Sequence, residues 1–164
     1  MRIVPATPAD VPAIFEMICG LAEYEKLSHV VTATEERIRE TLFGPNPAAE
    51  VLLAEWNGEW AGFALFFPNY STFLGQAGLY LEDLYVKPHA RGKGLGFALL
   101  TELARIAVTR NYGRVEWAVL DWNEPSIQFY KKLGATAMDD WITYRLTGQA
   151  LQNLAGAKSA LSAT

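Results

Sequence analysis

Cysteine is almost absent from this chain. Cys19 stands alone, which excludes an internal disulfide and fits a reducing compartment such as the cytoplasm. Set in an apolar helical pattern, that thiol reads as a small core-side residue rather than a nucleophile. No stretch approaches the roughly 18 consecutive apolar residues of a membrane span. Met1-Arg2-Ile3-Val4-Pro5 lacks the apolar run and cleavage site of a signal peptide, so no membrane partner is expected. Basic residues are in deficit, 14 Lys and Arg against 18 Asp and Glu, for a net charge of −4. That balance argues against nucleic acid as a partner and suits a small cation. Histidine is scarce too. His29 and His89 have no histidine or carboxylate partner at ligand spacing, so both read as loop residues and no metal site is inferred.

What remains is globular material: 164 residues, 51% hydrophobic and 20% charged, enough for one core burying about two thirds of the unfolded surface. Arg2–Ala6 alternates as a first strand. Val11, Ile14, Phe15, Ile18, Leu21 and Ala22 recur at helical spacing, with Thr7 and Asp10 available as caps. Thr32-Ala33-Thr34-Glu35 reads as a capping box and predicts a second short helix from Thr32. Strands at Val51–Trp56 and Trp60–Phe67 are joined by Asn57-Gly58, a strong hairpin signal. A further strand, Leu79–Val86, stops before Lys87-Pro88. An amphipathic helix follows over Phe97–Asn111, then a strand at Val115–Leu120, a helix at Pro125–Leu133 and a last strand at Trp141–Leu146. Residues 1–148 are expected to form a single domain and 149–164 a helical or frayed tail. The order β-α-α-β-β-β-α-β-α-β predicts an α/β fold with a mixed central sheet and helices on both faces.

The most informative stretch is Arg91-Gly92-Lys93-Gly94-Leu95-Gly96, between a strand and a long helix. Its glycines permit positive φ and a close approach of backbone to ligand. The helix start aims free N–H groups and a positive dipole end into the turn, and Arg91 and Lys93 add charge. Together these seat a phosphate or pyrophosphate. A P-loop would need G-x-x-x-x-G-K-[ST], which is absent. A dinucleotide fingerprint would need a small third residue where Leu99 stands, although Glu116 lies at a suitable distance beyond. Five residues separate the strand from Gly92, and several strands precede it, which weakens the dehydrogenase reading.

The same segment resembles the R/Q-x-x-G-x-G/A pyrophosphate loop of the GNAT superfamily of N-acetyltransferases. Asn123-Glu124-Pro125-Ser126-Ile127-Gln128-Phe129-Tyr130-Lys131-Lys132-Leu133-Gly134 is similar to that superfamily's second motif, N-x-x-A/S-x-x-x-Y-x-x-x-G. Leu21-Ala22-Glu23-Tyr24-Glu25-Lys26-Leu27, Tyr80-Leu81-Glu82-Asp83-Leu84-Tyr85-Val86 and Leu120-Asp121-Trp122-Asn123 further resemble the diamine (spermidine/spermine-type) and thialysine acetyltransferases. The likeness covers residues 1–146. It implies a GNAT fold, acetyl-CoA as co-substrate, a small cationic amine as acceptor and a homodimer. A module that holds acyl-CoA without turnover stays open beside it.

Acetyl transfer to an amine sets three demands. An ammonium of pKa about 10 must lose a proton, the thioester oxygen needs N–H donors, and the leaving thiolate needs a proton. The resemblance marks Tyr130, two helical turns past Asn123, as the proton donor to the thiolate. It marks Glu82 as the residue that binds the amine and takes its proton, directly or through water. Tyr24 and Glu25 match a substrate-binding pair. The backbone of Leu84, Tyr85 and Val86 is implied to bond the acetyl carbonyl and pantetheine, with Arg91, Gly92, Lys93, Gly94, Leu95, Gly96, Phe97, Asn123 and Ser126 completing the coenzyme site. Asn123 also reads as a helix cap. Strand alternation puts Glu82 with Tyr80, Leu84 and Val86 and turns Asp83 to the opposite face. Asp83 is then expected to be held by neighbouring backbone or basic groups. Thr72 stands where the polyamine branch carries an acid and matches the thialysine branch, so a short lysine-like or thialysine-like amine is expected over spermine.

Overall fold

Alternating apolar residues make Arg2–Pro5 (β1) and Glu50–Trp56 (β2) antiparallel neighbours, with Val4 opposite Leu53. Asn57 and Gly58, at φ 53° and 85°, then close the expected tight hairpin into Glu59–Ser71 (β3). In this computed structural model, which describes residues 1–157, β3 pairs with Gln76–Val86 (β4). A short parallel strand, Val115–Trp117 (β5), follows, giving the order β1-β2-β3-β4-β5. Backbone clustering separates two units, Met1–Ala118, which holds the whole sheet, and a second beginning at Val119.

Helix Val11–Tyr24 (α1) and helix Glu35–Phe43 (α2) cover one sheet face. Val11, Ile14, Met17 and Ile38 bury their side chains there with Val51, Leu53, Phe63 and Tyr85. The alternate residues Leu52, Ala64 and Phe66 turn to the other face, where helix Leu95–Thr109 (α3) packs through Leu95, Leu99 and Leu103. A fully buried leucine contributes about 1.5–3 kcal/mol relative to an exposed one, so the two layers fix the sheet firmly. A bidentate pair from Arg110 to Glu50, at 2.5 and 2.7 Å, ties the end of α3 to the start of β2.

Several boundaries depart from expectation. The second helix is capped by Thr34, whose hydroxyl accepts from the Arg37 N–H at 3.2 Å, and not by Thr32. Strand β3 runs on past Phe67 through Pro68. Beyond the pair Glu50–Phe66 it has no β2 neighbour, so the missing proline N–H costs no ladder bond on that side. Strand β5 stops at Trp117 rather than Leu120. The second unit comprises helix Glu124–Lys132 (α4) and helix Gly148–Ala155 (α5) among its described residues. Trp141–Leu146 forms no strand: its unit contains, among the described residues, no other strand to supply ladder partners, and Trp141, Ile142 and Tyr144 lie exposed. Residues 158–164 of the expected tail lie outside the described residues.

Candidate functional site

The glycine turn has the backbone a phosphate seat requires. Gly92 and Gly94 take φ of 71° and 86°, and Gly94 occupies the N-cap of α3 with no side chain capping it. The first helical bond runs from the Ala98 N–H to the Gly94 carbonyl, at 2.9 Å. The N–H groups of Leu95, Gly96 and Phe97 precede it and remain at the positive end of the helix dipole. At Gly96 an added Cβ would meet only a Val86 methyl, at 4.0 Å, so the space over this turn is open to a ligand. Lys93 is exposed in the turn. Glu116, which a ribose-binding reading would need, is instead tied to Arg114 and Asn69, both at 2.8 Å.

Strand β4 supplies a second feature. Its pairing with β5 ends at Leu81–Trp117, yet β4 continues to Val86. Among the described residues its β5-side N–H and C=O groups beyond Leu81 have no strand partner; the Val86 carbonyl accepts from the Arg91 Nε–H at 3.0 Å, and the remaining edge groups are able to bond an extended amide chain.

At the point of divergence the β3–β4 register slips. Leu65 pairs with Asp83 while its neighbour Phe66 pairs with Leu81, so Glu82 is an inserted residue. A β-bulge of this kind breaks side-chain alternation and re-aims side chains. Tyr80, Asp83 and Tyr85 consequently share the α1 face, opposite Phe67, Leu65 and Phe63. The expectation that Asp83 faces away from Tyr80 is therefore corrected. Burial pushes its carboxyl up to about 6, and the nearby charges of Glu82 and Glu25 push the same way. Tyr80 is raised by burial and by Glu82 and Glu116. Glu25, half-buried just past the last residue of α1, is raised by burial. Glu25 and Glu82 thus both lie within electrostatic reach of Asp83, and none of the three belongs to an ion pair among the described residues. The last turn of α1 carries no basic residue to offset the negative helix end. Asp83 is the site residue that sequence reasoning set aside.

Tyr24 lies beside Glu25 with the Arg91 guanidinium carbon 4.6 Å from its ring centroid. Thr72, by contrast, sits in the exposed turn closing β3 and β4, and the strand from Gln76 to Glu82 spans about 20 Å. Within one chain it is not brought to the carboxylates. A cavity of about 650 Å³ between α1 and the end of β4 is lined by Glu16, Cys19, Gly20 and Tyr85, but by none of the three acids. His89 bonds Glu59 at 2.6 Å and His29 lies in a short 3₁₀ turn.

In the second unit, Tyr130 and Asn123 belong to one helix. The Asn123 carbonyl accepts the first bonds of α4, from Ser126 at 3.1 Å and Ile127 at 3.0 Å. Its buried side chain makes no cap bond. Half-buried Tyr130 packs its ring 5.5 Å from that of Phe129.

A family model described as the Acetyltransferase (GNAT) family matches residues 16–135. A thialysine N-epsilon-acetyltransferase of Mus musculus is 39% identical, over 94% of this chain and 97% of its own. An L-ornithine N5-acetyltransferase of Arabidopsis thaliana is 37% identical, over 92% of this chain and 86% of its own. An integron cassette protein from the mobile metagenome of V. cholerae has a similar solved structure, with a TM-score of 0.81 and 26% identity over 95% of this chain and 98% of that one.

Proposed function

The chain belongs to the acetyltransferase (GNAT) family, and on that premise we propose that it carries the acetyl group of acetyl-CoA to the side-chain amine of a short, lysine-like or thialysine-like amino acid. It is an enzyme that acetylates a small amine. The acceptor reading rests on the three carboxylates, Glu25, Glu82 and Asp83, gathered at the bulge beside a helix C-terminus. Relatives named for thialysine and ornithine support it.

The residues of the turn fit the coenzyme. The N–H groups of Leu95, Gly96 and Phe97 take the pyrophosphate, Lys93 adds charge, and the β4 edge at Leu84 and the Val86 N–H bonds the pantetheine arm, whereas the Tyr85 backbone is turned to β3. When bound, acetyl-CoA supplies an activated thioester. Glu82 holds the ammonium and accepts its proton. As the new C–N bond forms and the C–S bond breaks, the Tyr130 hydroxyl gives its proton to sulfur, and the second proton the nitrogen sheds on becoming an amide restores the Tyr130 hydroxyl. Asn123 and Ser126 serve the coenzyme, as the likeness to the family's second motif implies. Residues 1–148 are read as one acetyltransferase domain, supported by a family match over residues 16–135.

No helix among the described residues is long and apolar enough to cross a membrane, and we assign the enzyme to the cytoplasm. We also propose a homodimer, supported by the apolar hairpin tip, where Phe73 is 96% and Tyr70 62% exposed. Thr72 would then bear on acceptor choice from that tip. Thiol release from acetyl-CoA, measured with thialysine, lysine, ornithine, spermidine and spermine, tests the reading. The short amino acids should give the highest kcat/KM. A preference for spermine would overturn the acceptor assignment, and no release with any amine would overturn the activity.

A further inference from the structure

Arg91 opens the glycine turn, but its side chain leaves it. The Nε–H donates to the Val86 carbonyl at 3.0 Å, and the guanidinium carbon lies 4.6 Å from the Tyr24 ring centroid and 5.8 Å from that of Tyr85. The planar group therefore lies within cation–π reach of two aromatic rings, one on α1 and one on β4. Tyr85 is itself fixed. It is buried among the core residues, and its hydroxyl oxygen would lie 2.6 Å from a Cβ added at Gly20. The helix can approach β4 this closely only because residue 20 has no side chain. Gly20 and Tyr24 are one helical turn apart on the same face, so this approach also sets Tyr24 over Arg91.

We propose that Arg91 is a positioning residue that couples the coenzyme turn to the acceptor end of α1, so that filling the turn strengthens binding of the cationic amine. Fixing the turn backbone fixes the first atoms of Arg91, and through the stack it fixes the Tyr24 ring, so the amine meets an ordered site. A lysine would keep the charge but lose the planar stack and the bond geometry. The proposal rests on the acetyltransferase reading for the identity of both ligands.

The test is calorimetric titration of thialysine into the enzyme alone and into enzyme saturated with CoA, where no turnover occurs. Wild type should bind thialysine at least about fivefold more tightly with CoA present, which by reciprocity is also the factor by which thialysine tightens CoA. Arg91→Lys and Tyr24→Leu should bring the ratio within about twofold of unity, whatever they do to CoA affinity itself. Tyr24→Phe, which keeps the ring, should retain it. Gly20→Ala pushes on Tyr85 and touches neither ligand, and it should weaken the ratio. A wild-type ratio of one, or an undiminished ratio in Arg91→Lys, overturns the coupling. If no amine binds or is acetylated, the acceptor reading fails separately. The clamp is then judged by a double-mutant cycle of Arg91→Lys and Tyr24→Leu in chemical unfolding, where additive effects overturn it.

Discussion

Tyr80 and Asp83 stand on the same face of the sheet, opposite Phe67 and Leu65, because Glu82 is inserted between them. The insertion places an acid among acids on a partly buried face, and the carboxyl of Asp83 responds by rising to about 6 through burial and the charges of Glu82 and Glu25.

That shift has a sign. A carboxyl whose folded pKa is raised contributes stability below its unfolded value, near 3.8, and loses it as pH climbs through about 6. Asp83→Asn should therefore stabilise the free enzyme at pH 7.5, by up to roughly 2–3 kcal/mol, with little gain at pH 4. Thermal unfolding of both proteins at the two pH values measures this. An equal change at both would show that the charge of Asp83 is not what strains the fold.

Gly94 and Gly96 should fail differently when replaced by valine. Gly94 has φ of 86°, so Gly94→Val strains the backbone and should lower both Tm and acetyl-CoA affinity. Gly96 has open space around its missing Cβ, so Gly96→Val should leave Tm within a few degrees and still lose coenzyme binding by filling the seat. Thermal scans with calorimetric titration separate the two. Unchanged acetyl-CoA affinity in a folded Gly96→Val would make the turn purely structural.

Much of this site is legible in the residues. The glycine turn is local chemistry, and Gly92 and Gly94 adopt the positive φ their spacing suggests. The position of the bulge is not legible, because the doubled acid Glu82-Asp83 interrupts the apolar alternation without showing which residue is inserted. Only the pairing with Leu65 and Phe66 on β3 shows the slip. Asp83 was misjudged for that reason. The segment Trp141–Leu146 is rich in β-forming residues but has no ladder partner among the described residues of its unit, and Pro68 looks like a stop until the missing β2 neighbour is known. The clamp of Arg91 on Tyr24 joins residues far apart in sequence, so no local pattern signals it.

Tyr130→Phe removes one hydroxyl and the proton it would give to sulfur. kcat should fall by about 10²–10⁴-fold, the usual contribution of general-acid catalysis, while acetyl-CoA affinity survives. Single-turnover kinetics with calorimetry checks both. A chemical step as fast as wild type would remove Tyr130 from the mechanism.

Thr72→Asp restores an acid at the exposed hairpin tip. Charge-assisted hydrogen bonding of about 1–3 kcal/mol should move the kcat/KM ratio toward spermidine by roughly ten- to a hundredfold. Competition between thialysine and spermidine reads the shift directly, and an unmoved ratio would detach Thr72 from acceptor choice.

The central claim is that Glu82 at the bulge receives the ammonium and its proton, and the pH–rate profile of Glu82→Gln tests it most directly. With thialysine as acceptor, turnover should drop sharply at pH 7, where the amine is protonated. The deficit should shrink toward pH 10, where free amine is abundant. A deficit of the same size at both pH values would contradict the account, leaving Glu82 to shape the site without handling the proton.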